Sequence, residues 1–242
     1  MDYNGSILLI LVMPIVAFMY ASVGHGGASS YLVILALYGF APEQIKPTAL
    51  VLNIAVAGIA FLAYRKACVF PTKLFMLLVL FSVPASFIGG TILVNILLYK
   101  KILGIILILA IARFFIKRPL SPTPVKYFWA PFIGVAIGFI SGLIGIGGGI
   151  ILSPLLLLLG WTNVKQTAAL SALFILCNSA SGLAGAIHLA SFQPFLVFVL
   201  LPLAITGGAI GAYMGAQKYK TITLKYILNV VLFFASLKLL MS

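Results

Sequence analysis

The chain breaks twice on clusters of glycine, and the two breaks stand in matching surroundings: SVGHGG at Ser22–Gly27 and SGLIGIGGG at Ser141–Gly149. Each follows an apolar stretch, and each precedes an apolar segment of only about ten residues. Glycine inside a helix costs conformational entropy and removes side-chain bulk, so such runs mark backbone that leaves the helix. What surrounds them is too apolar for water: 64% of residues are hydrophobic and 7% charged, against about a quarter charged in a soluble domain. Stretches such as Leu74–Leu98 are long enough to cross a bilayer. The fold class expected is an all-α polytopic membrane protein. At membrane depth irregular backbone survives only where it is buried in protein or lines a cavity. Paired, glycine-interrupted segments in corresponding halves therefore point to a transporter's binding site.

The knots belong to a longer duplication. Gly24, Gly26 and Gly27 match Gly145, Gly147 and Gly148; Lys46-Pro47-Thr48-Ala49 matches Lys165-Gln166-Thr167-Ala168; Pro84 and Gly89-Gly90 match Pro202 and Gly207-Gly208. Each half holds five apolar segments, roughly 6–23, 29–40, 47–64, 73–98 and 101–116, then 127–144, 150–160, 166–188, 194–216 and 223–241. This divides the chain into a first transmembrane repeat (1–116), a basic, proline-rich cytoplasmic linker (117–126) and a second transmembrane repeat (127–242). Ile7 onward reads as a retained membrane segment, since MDYNGS lacks a positive n-region.

The second segment of each half is too short to cross a core of about 30 Å. It is either re-entrant, leaving three crossings per half and an inverted second half, or part of a broken crossing, leaving four and parallel halves. With inverted halves the lysines and arginines divide eleven to four between the two membrane faces, and with parallel halves eight to seven. Cytoplasmic loops collect Lys and Arg, so two inverted structural repeats are expected, with short re-entrant or broken helices at the knots and both termini outside. The same loops account for the net charge of +13. Nucleic-acid binding is excluded, because no soluble stretch is long enough to carry a basic face.

The acids are Asp2 and Glu43 alone. Neither is placed for a mid-membrane proton relay, and a hard cation needs anionic oxygens, so the expected substrate is an anion and no metal or cofactor is called for. Helix N-termini hold anions through free N–H groups and the helix dipole. Short helices beginning near Ala28 and Ile150 would supply two. The candidate substrate-binding residues are Gly24, His25, Gly26 and Gly27 in the first knot and Gly145, Gly147, Gly148 and Gly149 in the second. Polar residues inside apolar segments, Asn53, Ser171 and Asn178, join them. Against this stands close helix packing by small residues and bonding of polar ones between helices. His25 is the titratable group within a knot; Ile146 matches it in the other, so its chemistry is asymmetric. His188 reads as interfacial. Arg65 and Lys66 read as snorkelling. A serine-protease reading fails, since Ser181 and His188 lie about 10 Å apart along one helix.

The two knots, the Thr-Ala helices after them and the duplication at about 120 residues resemble the TauE/SafE sulfite exporter family, also called the 4-toluene sulfonate uptake permease family, over residues 6–241. The resemblance implies a multi-pass transporter of sulfur-containing anions, such as sulfite, thiosulfate or organosulfonates, in the cell (cytoplasmic) membrane. Export is the direction expected. An anion channel, a proton-coupled importer and a non-transporting scaffold are the alternatives, and a homo-oligomer is open. No enzymatic activity is expected.

Overall fold

The computed structural model describes residues 3–40, 42–92, 123–188 and 193–220, with 222–224, 226–227, 230 and 233. The apolar segment expected at 101–116, most of the linker and most of 223–241 lie outside the described residues. Those described are helical throughout, apart from short turns. In chain order the helices are α1 (Tyr3–Ala21), α2 (Ala28–Leu37), α3 (Pro42–Tyr64), α4 (Thr72–Gly90), α5 (Ala130–Ile144), α6 (Gly149–Leu158), α7 (Val164–Ala186) and α8 (Pro194–Tyr213), the last continued by a π-turn at Met214–Lys218. Five helical stretches are long and apolar enough to span a membrane, those containing α3, α4, α5, α7 and α8. Their outward faces carry Leu62, Leu80, Phe87, Phe195, Phe198 and Ile210, all exposed, as a surface against acyl chains requires.

Glycine ladders show how the helices pack. On α5, Gly134, Gly138 and Gly142 lie against the carbonyls of Leu78, Ser82 and Ser86 on α4, so closely that an added Cβ would sit 2.4, 2.3 and 1.8 Å from those oxygens. At α8 and its π-turn, Gly207, Gly211 and Gly215 lie equally close on the carbonyls of Pro14, Phe18 and Ser22 along α1 and just beyond it. Small residues at such spacing let backbones touch, which is how helices associate without a hydrophobic driving force. In both series the numbers rise together, so α4 runs with α5 and α1 with α8.

The remaining contacts orient the other helices. Val56 meets Gly208 and Tyr64 meets Gly215, setting α3 alongside α8 in the same sense. Ser82 meets Asn178 and Gly90 meets Gly182, setting α7 alongside α4. Between α3 and α7 the series falls as it rises: Asn53 with Ser179, Gly58 with Leu176, Cys68 with Lys165. Thus α1, α3 and α8 point one way, and α4, α5 and α7 the other. One end of the bundle collects Arg65, Lys66, Lys73, Lys126, Lys165, Lys218 and Lys220; the opposite end, among the described residues, has Lys46 and His188. An aromatic cluster, Phe128, Trp129 and Phe132, stands exposed at the basic end where α5 begins, in the manner of an interfacial belt.

Candidate functional site

Both short helices have ten residues, which is about 15 Å of helix. Each turns back beside the longer helix that follows it. Gly149 and Ser153 of α6 meet Ile175 and Ser171 of α7 in antiparallel order. The start of α2 lies at Asn53, halfway along α3, and its end turns at Gly39 into the beginning of α3. The N-termini of α2 and α6 therefore meet in the interior rather than at a surface. Left-handed backbone makes this possible: Gly24, Gly27, Gly145, Gly147 and Gly148 all have φ between 74° and 95°, a range costly for any residue with a Cβ.

Asn53 stands between the knots and joins them. Its Oδ1 accepts from Ala28 N–H at 3.2 Å, the first amide of α2. Its Nδ2 donates to Ser179 Oγ at 2.8 Å and, at 3.4 Å, reaches the carbonyl of Ile146 in the second knot. Gly26 and Gly147 lie against the two ends of this amide, where a Cβ would come within 1.9 and 2.5 Å of Oδ1 and Nδ2. His25 crosses the same gap from the other side. Its Nδ1 faces the Val23 carbonyl at 3.1 Å, and its Nε2 faces both the Gly149 carbonyl and Ser153 Oγ at 3.1 Å. Ser153 in turn donates to Ser171 at 2.8 Å. A neutral imidazole has one N–H, so only the doubly protonated ring donates to both carbonyls.

Three buried side-chain atoms have no hydrogen-bond partner among the described residues: Tyr31 Oη, Ser141 Oγ and Asn178 Oδ1. Tyr31 stands just past the first knot, and Ser141 opens the second. A Cβ on Gly27 would lie 2.7 Å from Tyr31 Oη, and one on Gly148 would lie 3.3 Å from Ser141 Cβ. A buried hydroxyl left unpaired carries a desolvation cost of about 1–3 kcal/mol. One such hydroxyl stands beside the start of α2 and one beside the start of α6. In the first turn of α2 the N–H groups of Ala28, Ser30 and Tyr31 are already bonded, to Asn53 Oδ1 and the Gly27 carbonyl, and in that of α6 the N–H groups of Ile151 and Leu152 are bonded to the Gly148 carbonyl.

Of the residues expected at the site, the two knots, Asn53 and Ser171 come together here. Gly24 packs on the Ala168 backbone and Gly145 under the stem of Lys46, at the margins of the group. Asn178 faces away: its Nδ2 donates to Ser82 Oγ at 3.0 Å and to the Phe174 carbonyl at 2.9 Å, on the α4 side of α7. Sequence reasoning passed over Ser153 and Ser179. Ser153 was legible as a hydroxyl in a very short apolar helix, one turn beyond the knot. Ser179 was legible only as one of several serines on α7.

A model of the family described as Sulfite exporter TauE/SafE matches residues 9–239. The chain is 36% identical over 241 residues to probable membrane transporter protein y4hK of Sinorhizobium fredii, covering 96% of this chain and 97% of that one. It is 26% identical to probable membrane transporter protein YdhB of Bacillus subtilis, over 93% and 95% of the two chains. No solved structure matches. The family match runs through both knots and every helix from α2 to α8, so the chain belongs to the TauE/SafE sulfite exporter family, whose relatives here carry the name of membrane transporters.

Proposed function

We propose that the protein is a carrier that exports sulfur-containing anions, such as sulfite, thiosulfate or organosulfonates, across the cell membrane, binding them between the N-termini of α2 and α6. The meeting of the two short helices at Asn53 carries this reading. Two positive dipole ends converge on one buried place, where an anion gains from both. The unpaired hydroxyls of Tyr31 and Ser141 add one donor at each helix start.

The halves, 1–116 and 127–242 by sequence, are read as inverted repeats. Support comes from the directions of the mates: α1 opposes α5, α3 opposes α7 and α4 opposes α8. The short helices are read as the returning arms of re-entrant hairpins, supported by the turn of each back along its neighbour. The basic end is read as cytoplasmic. For an anion moving outward, an inside-negative potential contributes about 2.3 kcal/mol per charge per 100 mV, so export needs no coupling ion.

One observation favours a second reading, proton-coupled uptake: each ring nitrogen of His25 faces a carbonyl, an arrangement that suits the protonated ring. The experiment for both is a proteoliposome flux panel of sulfite, thiosulfate, sulfate, sulfoacetate and taurine, with and without a pH gradient. Saturable flux and counterflow of a sulfur anion, driven by potential alone, is the expected result. Flux that never saturates would mean a channel, and flux of none of the five would overturn the substrate class.

A further inference from the structure

We propose that Lys46 and Lys165 are a matched pair of anion-relay residues, one at each mouth of the site, whose ammonium groups pass from backbone carbonyls to the anion as it enters or leaves the knots. The inference rests on the transport of an anion through the knots.

The two lysines are repeat mates; Lys46 reaches into the knot of the other half, and Lys165 reaches the Ala216 carbonyl, next to the residue that packs on the start of the first knot. Lys46 lies one turn into α3; its stem lies over Gly145, whose added Cβ would be 2.8 Å from Lys46 Cγ. Its Nζ donates to the carbonyls of Leu143 and Gly90, at 3.3 and 3.4 Å. Leu143 belongs to the second knot. Lys165 opens α7; its Nζ donates to the Ala216 carbonyl at 3.1 Å. The neighbouring Gly215 rests directly on the carbonyl of Ser22, the first residue of the first knot. Since α3 and α7 are antiparallel, the two ammonium groups sit at opposite ends of the bundle.

Their bonding is incomplete. An ammonium has three donors. Among the described residues Lys46 uses two, both longer than the usual 2.7–3.2 Å range, and Lys165 uses one. The chain has two acids, Asp2 and Glu43, and Glu43 stands exposed in the first turn of α3. A cation held only by neutral carbonyls, with donors to spare, gains by turning one of them to an anionic oxygen, because attraction between opposite charges then adds to the hydrogen bond. A static clamp on helix C-termini is the competing role, since cations favour those carbonyls too.

Flux kinetics of radiolabelled sulfite, in right-side-out and inside-out vesicles at zero potential and equal pH, separate the two. A passive carrier under these conditions has the same Vmax/KM in both directions. Lys46→Gln is expected to lower that ratio about tenfold, the loss of one charge-assisted hydrogen bond. From the face where α3 begins the loss appears as a raised KM; from the other face it appears as a lowered Vmax. Lys165→Gln should show the mirror image, and Lys→Arg at either position should restore most of the ratio. Normal wild-type flux with KM and Vmax changed alike from both faces, or left unchanged in the Gln variants, overturns the relay and leaves the transport reading standing. Wild type that carries no member of the anion panel overturns the transport reading, and the relay with it.

Discussion

At the residue scale, the centre is held by a few side chains whose loss has different signatures. Gly148 has φ +76°, and a Cβ there would come 2.9 Å from Ile137 Cγ2 and 3.0 Å from Phe174 Cε1. Gly148→Val adds two branches and about 1–2 kcal/mol of left-handed backbone strain. The expected outcome is an inserted, folded protein without transport, checked by detergent-solubilised size-exclusion profile and flux; full activity would mean the knot only fills space. Asn53→Leu removes three bonds at once and leaves Ala28 N–H, Ser179 and the Ile146 carbonyl without that partner. At about 1–3 kcal/mol for each buried group left bare, its thermal unfolding in detergent should fall well below that of Ser179→Ala, which removes one. His25→Gln tests coupling. For a potential-driven exporter the variant keeps much of its flux, and pH dependence changes little. Accumulation against the potential in wild type, lost in the variant while counterflow survives, would establish proton-coupled uptake instead.

At the element scale, the glycine ladders are the joints. Gly138 sits beneath the Ser82 carbonyl, with a would-be Cβ 2.3 Å from that oxygen. Gly138→Leu must push α5 away from α4, an overpacking cost of about 1–3 kcal/mol. The expected result is a lower unfolding temperature with loss of flux, and Gly211→Leu should do the same at the joint of α8 with α1. Much of this level was legible in the sequence. The glycines at intervals of four on segments 127–144 and 194–216, and the short segments behind the knots, follow from one-dimensional spacing. The partner of each ladder did not, because which helix a stripe of glycine touches depends on how distant segments cross. The same limit hid Ser179 and the position of Lys46 over Gly145, both contacts between halves. It also let Asn178 stand beside Ser171 as a pair seven residues apart, although one turns to α6 and the other to α4.

At the scale of the whole molecule, charge and direction agree. The loop near Gln193 and the loop near Lys220 lie at opposite ends of α8. Cysteine-accessibility labelling should place them on opposite sides of the membrane, with residues 65–73 on the side of Lys220 and inside the cell. Labelling of both loops from one side would refute the inverted arrangement. The halves are also woven together. Each ladder ties a helix of the first half to one of the second: α1 to α8, and α5 to α4. In the first joint the second half supplies the glycines from α8 and its π-turn, and in the other it supplies them from α5. Backbones in direct contact cannot slide without lifting apart, so each of these pairs behaves as one stiff lever. On the carrier reading proposed above, the bodies that rock would then not be the two duplicated stretches but composites that borrow helices from each copy, meeting where α3 packs along α7.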